Sequence, residues 1–582
     1  MSARELITEH LDLWTGAVTK KPSSGRGSNG KVELTGVKKL RELILELAVR
    51  GRLVSRLDFN QSSSDLIAVI EKEKSRLVAS KRIKKPKAVG SVSQENYPFD
   101  IPENWSWHTL GELGYTQTGS TPAKSKSELF GSDIPFLKPG DISENGEICY
   151  ENEGLSEAGK ETLGKWAETD SILMVCIGTI GKCGLIQQQC TFNQQINSIS
   201  PFVPGTSRFL LLCLQSPYFQ RAAWEKSSST TISILNKGKW ESIPVPLPPL
   251  EEQHRIVQKV DELMALCDRL EQQTSDQLEA HETLVDTLLG TLTQSENATE
   301  LADNWAHLAA HFDTLFTTEQ SIDKLKQTIL QLAVMGRLVE QDAGDESAQE
   351  LLRSLAAEER RLLSTGKLRR KNSGKTGTNQ SALQELPSGW ALAPLSQLGR
   401  FSGGKTPSKS KPQFWGGHIP WVTPKDMKTQ HIKGSEDRVT QLAVDEGLEL
   451  YPENAVLFVV RSGILRRMFP AAITAVPCTV NQDLKVLSPY LPELSPYIQL
   501  MMLGFEQFIL KNLTKTGTTV ESLKFEEFAN CQFPIPPLHE QARILERVDE
   551  VMILCDQLKE RLNQASETRN QLAEAVVEGA LN

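Results

Sequence analysis

The sequence predicts an α+β protein in which two pseudo-repeated mixed α/β domains are separated by long helices that pair as an antiparallel coiled coil. Three observations carry this expectation. The chain repeats itself, each copy has a strand-and-turn interior closed by a Pro-rich stop, and each stop is followed by a long apolar register of seven residues.

The repeat fixes the architecture. The stretch VKKLRELILELAVRGRLV from Val37 returns as IDKLKQTILQLAVMGRLV from Ile322, 285 residues further on. At that same offset Trp105 returns as Trp390, and GSTPAKSKSELFGSDIPFLKPGDI from Gly119 returns as GKTPSKSKPQFWGGHIPWVTPKDM from Gly404. A third block, IPVPLPPLEEQHRIVQKVDELMALCDRLE from Ile243, matches CQFPIPPLHEQARILERVDEVMILCDQLK from Cys531 at an offset of 288. Between these blocks the likeness dissolves. Ser143–Met174 shares little with Lys428–Leu457, although CTFNQQI at Cys190 still echoes CTVNQDL at Cys478. Each copy is a constant frame around a variable interior.

In chain order, residues 1–96 read as a helical region and basic linker. The helix spans Val37–Arg50, is amphipathic through Leu40, Ile44, Leu47 and Ala48, and stops at Gly51. Residues 97–249 and 386–537 alternate short apolar runs such as SILMVCIG and NAVLFVV with Gly, Pro, Ser and Thr turns, the pattern of mixed domains rich in strands. Residues 250–385 form a central helical region and linker, and residues 538–582 a C-terminal helix. The linkers carry KRIKKPK in the first copy and RRLLSTGKLRRK in the second, solvated charge runs or phosphate contacts. PVPLPPL and PIPPL end each mixed domain, since consecutive prolines continue neither strand nor helix.

After each stop a coiled-coil seam is expected. In the first copy it runs through Ile256, Leu263, Leu270 and Leu284 with Val260 beside them, and slips sideways past Leu270 through Leu278 and Val285. In the second it runs through Ile544, Val551, Leu558, Ala565 and Leu572, with Val548 and Leu562 alongside. Thr274, His281 and Arg569 interrupt the adjoining register, so short, imperfect pairing is expected.

Composition narrows the function. At 582 residues with 39% apolar and 24% charged residues, the chain suits several globular domains. No apolar stretch approaches the roughly 20 residues of a membrane span, and Arg4 and Glu5 precede no apolar signal core, so a cytoplasmic protein is expected. Nine cysteines without CxxC or Cys/His spacing fit a reducing compartment and offer no metal site. A net charge of −9 argues against a general nucleic-acid coat, so any polyanion contact is local.

Catalytic motifs fail on context. Gly399–Thr406 reads GRFSGGKT, a literal P-loop, but Pro407 and Pro412 follow where a helix must begin to hold phosphate. GRGSNG at Gly25–Gly30 follows KKPSS rather than a buried strand. No GxSxG, HExxH or Asn-Pro-Pro-Phe/Tyr is present, and His254 and His539 sit at helix starts as surface residues. No catalytic residue is assigned.

Two variable modules held at a set separation suit a ligand with two different surfaces a fixed distance apart, and double-stranded DNA is one. Candidate contacts are Lys138, Asp141, Lys182, Asn193, Gln194, Gln195 and Thr230 in the first module. In the second they are Lys405, Lys425, Arg461, Arg466, Arg467, Asn481, Gln482 and Thr518. Arg and Lys match guanine edges, Asn and Gln adenine, Asp the cytosine amine, and hydroxyls the phosphates. Surface charges and satisfied turn residues are the plainer readings of each. If the long helices act as a ruler that sets the spacer between the two surfaces, four residues inserted after Gln253 displace one module by about 6 Å and change the spacer while leaving both halves of the target intact.

The duplicated frame, the GxTP block at Gly119 and Gly404, the NQ pairs at Asn193 and Asn481, and PLPPLEEQHRIVQKVDEL with PIPPLHEQARILERVDEV resemble the specificity subunit of type I restriction-modification enzymes. The resemblance runs nearly end to end. It implies two target recognition domains reading the halves of an interrupted, asymmetric DNA site, with no cofactor in this chain. It implies as partners two modification subunits, which carry S-adenosylmethionine, and restriction/translocase subunits, which use ATP and Mg. The Val37–Val54 repeat is expected to mark two docking places for modification subunits. One departure bars transfer of contacts between halves: CIGTIGKCG at Cys176 gives way to VRSGILRRM at Val460. A bivalent protein-binding adaptor with a structural coiled coil is the competing reading, and a nucleotide-dependent enzyme built on Gly399–Thr406 a third.

Overall fold

A computed structural model describes residues 9–20, 32–55, 62–86, 97–123, 125–228, 232–366, 382, 386–517 and 520–581. Two compact units emerge, one made of the described residues up to 276 and from 566 onward, the other of those between 277 and 565. The motif GRGSNG, Thr230 and Thr518 lie outside the described residues.

In the first unit, helix α1 (Thr35–Val49) buries Val37, Leu40, Leu43, Ile44 and Leu47 on one stripe. Gly51 ends the turn with φ +67°, and a Cβ there would sit 2.6 Å from the ring of Pro102. The main sheet holds β1 (Gly114–Thr118), β2 (Ile172–Val175), β3 (Cys183–Leu185) and β4 (Ile196–Pro201) in the order β1-β4-β2-β3, all antiparallel. The central strand β2 is buried along its whole length, which its unbroken ILMV sequence requires. Pro244–Leu247 pairs antiparallel with Ser106–Thr109, so the chain leaves the domain beside the place where it entered. Pro248 and Pro249 then lead into helix α2 (Leu250–Gln294).

The second unit repeats this plan. Helix α3 (Glu319–Val334) starts at Thr318, whose hydroxyl accepts from the Ser321 amide at 3.1 Å. The residues β5 (Gly399–Gly403), β6 (Val456–Val459), β7 (Ala471–Thr474) and β8 (Leu484–Pro489) form a sheet ordered β5-β8-β6-β7. A short strand, His431–Ile432, adds in parallel to β7. It falls in the stretch where the two copies diverge. Gln532–Ile535 pairs with Ala391–Pro394 before helix α4 (Leu538–Leu581).

The seam expected between the long helices is shared with the repeated helices. In the first unit Ile256, Val260, Leu263 and Cys267 of α2 join one core with α1 and with Ala573 of α4, and Leu270 packs against it. In the second unit Val285, Leu289 and Leu292 of α2 join Ile322, Leu325 and Ile329 of α3 and Cys555 of α4, with Val551, Leu558 and Leu562 packed alongside. Early α2 thus meets late α4, and late α2 meets earlier α4, the antiparallel sense. Ile544 and Val548 are buried in the core of the second mixed domain itself. Ion pairs follow the same plan. Arg41 holds Asp268 and Glu271, each at 2.8 Å, and its counterpart Lys326 holds Asp556. Lys39 faces Glu574 at 3.9 Å, as Lys324 faces Asp286 at 2.7 Å.

Two expectations need correction. Leu284 is 49% exposed while Val285 is 1% exposed, so the apolar stripe turns by one position. The turn follows Thr274, whose hydroxyl back-bonds to the Leu270 carbonyl at 2.7 Å, a contact that bends helices. Leu572 is likewise exposed and Ala573 takes the buried place. The apolar faces of the Val37 and Ile322 repeats are buried inside their own units.

Candidate nucleic-acid interface

In each unit four loops meet at one end of the main sheet. The GxTP loop lies against the NQ loop because Gly119 and Gly404 leave no room for a side chain. A Cβ would stand 2.2 Å from the Asn193 carbonyl oxygen in one, and 2.1 Å from that of Asn481 in the other. The threonine of each GxTP block then donates to the glutamine of each NQ pair, Thr121 to Gln194 at 2.6 Å and Thr406 to Gln482. The loop after β2 is tied in by hydrogen bonds from Cys176 to the Gln195 carbonyl and from Gly178 to the Ser233 carbonyl. Val460 to Asp483 and Ser462 to Glu521 repeat those ties in the second unit.

Asn193 and Asn481 are buried positioning residues. Asn193 Oδ1 accepts from the Gln195 amide at 3.0 Å while its Nδ2 donates to Gln195 Oε1 at 2.9 Å. Asn481 treats Asp483 the same way, at 3.0 and 3.2 Å. These amides hold the turn, and Gln194 and Gln482 beside them are exposed. Asp141 is also a loop-builder: Oδ2 accepts from the Lys138 amide at 2.7 Å and Oδ1 from Asn152 at 2.6 Å. Asp426 does the same for Thr423 and Glu436, each at 2.8 Å, a parallel visible in the sequence only as GDI against KDM.

The cations differ between units. Lys138 pairs with Glu153, and Lys182 with Glu144 at 3.0 Å. Lys405, Lys425 and Arg467 are exposed, and none has a side-chain ion pair among the described residues. Arg461 Nε donates to Asp483 Oδ1 at 2.8 Å, and Arg466 Nε donates to Glu521. Sequence reasoning named both arginines and missed both carboxylates, since Asp483 and Glu521 lie 22 and 55 residues away.

Other residues at this face are structural. Burial pushes the thiols of Cys176, Cys190 and Cys478 up to about 12. They are packing residues, not nucleophiles. The P-loop look-alike is strand β5 followed by a turn in which the Lys405 amide donates to the Val480 carbonyl at 3.1 Å. His254 and His539 are exposed, as expected. Among the described residues no cluster of His, Cys, Asp and Glu is arranged to hold a metal ion, and no helix is long and apolar enough to cross a membrane.

The loop face is duplicated: its backbone ties are kept and its polar side chains change between the two units. The chain belongs to the family described as the type I restriction modification DNA specificity domain, which matches it twice, over residues 102–280 and 387–567. It is 33% identical to the specificity subunit of the type I restriction enzyme EcoAI of Escherichia coli, over all of both chains. It is also 33% identical, again end to end, to that of EcoEI from the same organism. A chain in a solved structure of a type I restriction-modification system aligns over 83% of this chain and 99% of its own, at 17% identity and a TM-score of 0.48.

Proposed function

We propose that the chain is the non-catalytic DNA-specificity subunit of a type I restriction-modification complex. Residues 97–249 and 386–537 act as the two recognition domains, each reading one half of a split, asymmetric site. The observation that carries the reading is the paired loop face. Identical backbone ties place Gln195 in one unit where Asp483, with Arg461 on it, stands in the other. A scaffold repeated faithfully with its polar side chains exchanged is what two halves facing different base edges require.

In this reading the partners are double-stranded DNA, two modification subunits that bind S-adenosylmethionine, and restriction subunits that use ATP and Mg, all in the cytoplasm. This chain supplies the address and the assembly frame. Its net charge of −9 makes it a weak DNA binder alone, so the modification subunits contribute much of the phosphate contact. The family membership favours this reading over the adaptor.

Sequencing of methylated DNA from cells that express the chain with its modification subunits tests the proposal. A single bipartite motif is expected. Equal affinity of the purified complex for all sequences at fixed salt overturns it. Exchange of residues 97–249 for another recognition domain is expected to replace one half of the motif and spare the other.

A further inference from the structure

We infer that the second recognition domain reads guanine through two arginines, Arg461 and Arg466, each aimed by a carboxylate that grips its Nε. The inference rests on the DNA-reading proposal and specifies what one half of that site must contain.

Both arginines stand on a braced loop. Arg461 follows β6 and bridges Ser522, while the Val460 amide donates to the Asp483 carbonyl at 2.8 Å. Arg466 closes a single 3-10 turn, Gly463–Arg466, whose start is capped by the Ser462 hydroxyl and whose Leu465 is buried. The loop backbone is therefore fixed before any ligand arrives.

The carboxylates act on the side chains. Asp483 is itself held by Asn481 and accepts from Arg461 Nε at 2.8 Å. Glu521 is buried, its backbone carbonyl accepts from Ser462 at 3.1 Å, and its Oε1 accepts from Arg466 Nε. Its Oε2 is buried without a hydrogen-bond partner among the described residues, so Arg466 is the cation that offsets this charge. Gripping Nε consumes one of the five guanidinium donors and leaves the four on the terminal nitrogens. No other hydrogen bond engages those nitrogens among the described residues, and the side chains are 58% and 62% exposed. A planar fork presented end-on, with its long stem immobilised, matches guanine O6 and N7 and loses little side-chain entropy on docking. Phosphate contact needs no such aiming, since a mobile lysine serves it.

The first unit lacks the device. Ile177 bridges Ile234 where Arg461 bridges Ser522, Gln195 replaces Asp483, and Cys176–Cys183 contains no arginine. The arginine-borne guanine contact therefore falls on one half-site only.

The test compares methylation motifs of the complete complex, chain plus modification subunits, on a library randomised across both half-sites. The second half-site, assigned by exchanging residues 386–537, is expected to hold guanine at two positions. Arg466→Lys and Glu521→Gln are expected to lower the preference for guanine at one of them by about 5- to 100-fold, and Arg461→Lys and Asp483→Asn at the other. The first half-site and spacer are expected to stay unchanged, which also reports that the variant complex is intact. A second half-site without guanine overturns the inference while leaving the DNA-reading proposal standing. Uniform loss across all sequences, which would make the arginines phosphate contacts, or an unaltered motif overturns it too. A parent complex with no motif at all sinks the proposed function itself.

Discussion

The side chain of Gln541 folds back from the first turn of α4 and donates through Nε2 to the carbonyl oxygen of Pro536 at 3.0 Å. Gln253 does the same to Pro248 at 2.9 Å. Both glutamines are buried, and each carbonyl belongs to the Pro-Pro joint that ends a recognition domain. The hydrogen bond welds the helix start to the strand, so the domain and its helix turn as one piece. Gln541→Leu leaves a buried carbonyl unpaired, a loss of about 1–3 kcal/mol. Amide exchange in the first turn of α4 is expected to speed up by roughly 5- to 150-fold, and methylation to tolerate a wider range of spacers. Unaltered exchange in that turn argues that the joint is held by the prolines alone.

The repeat made this joint legible in the sequence, but not its mechanism. PPLEEQ and PPLHEQ mark the place, while the partner of the glutamine is a backbone atom that no side-chain pattern reveals. Much of the fold was readable in the same way: the frame, the mixed domains and the long helices follow from period and composition. The seam was readable only in part. An apolar register shows which residues seek cover but not which helix supplies it, and here α1 and α3 supply much of it. At the loop face the exposed arginines were legible by type. Asn193, Asn481 and Asp141 hold turns of this face, a role their residue types did not announce, because a turn uses the same hydrogen-bonding groups as a base edge.

Thiol chemistry offers a check on the packing of both units. Cys149 is exposed and the other eight cysteines are buried. Burial pushes Cys183 up to about 12, and Cys267 and Cys531 up to about 11, so at pH 8 very little of any of them is thiolate. Native protein treated with a maleimide at pH 8 is expected to take one label per chain quickly, at Cys149, and all nine only in denaturant. Rapid labelling of Cys176 or Cys190 in the native protein, read by mass spectrometry, contradicts the buried loop base.

Glu506 gives stability a pH dependence of unusual sign. Burial raises its carboxyl above the ordinary value of 4.5, only partly countered by the Phe469 amide, which donates to it at 2.7 Å. A carboxyl with a raised folded-state value contributes its stability at low pH and loses it as pH climbs through that value. Gln at this position keeps an acceptor for Phe469 and carries no charge. Glu506→Gln is expected to raise the melting temperature of the chain at pH 8 relative to the parent, and to leave it little changed at pH 4. A lower melting temperature at pH 8 would show that the ionised form is the favoured one.

The ruler idea gains a definite place to be tested. Insertion directly after Gln253 would slide α2 past α1 and break the Arg41 pairs with Asp268 and Glu271 before it altered any spacing. On the other side, Lys324 grips Glu282 and Asp286 of the same helix at 2.8 and 2.7 Å. Between these anchors lies Gln272–His281, where the stripe turns and neither grip acts. On α4 the corresponding interval lies between Lys559, which pairs with Asp323 at 3.0 Å, and Glu574. Because early α2 packs with late α4, an insertion in one helix alone mismatches the other. Four residues added to both, after Gln272 in α2 and after Arg561 in α4, lengthen the pair by about 6 Å, close to two base-pair steps of about 3.4 Å. The methylated motif is expected to keep both half-sites and gain about two base pairs of spacer. Retention of the parent spacer would show that the distance between half-sites is set somewhere other than in these helices.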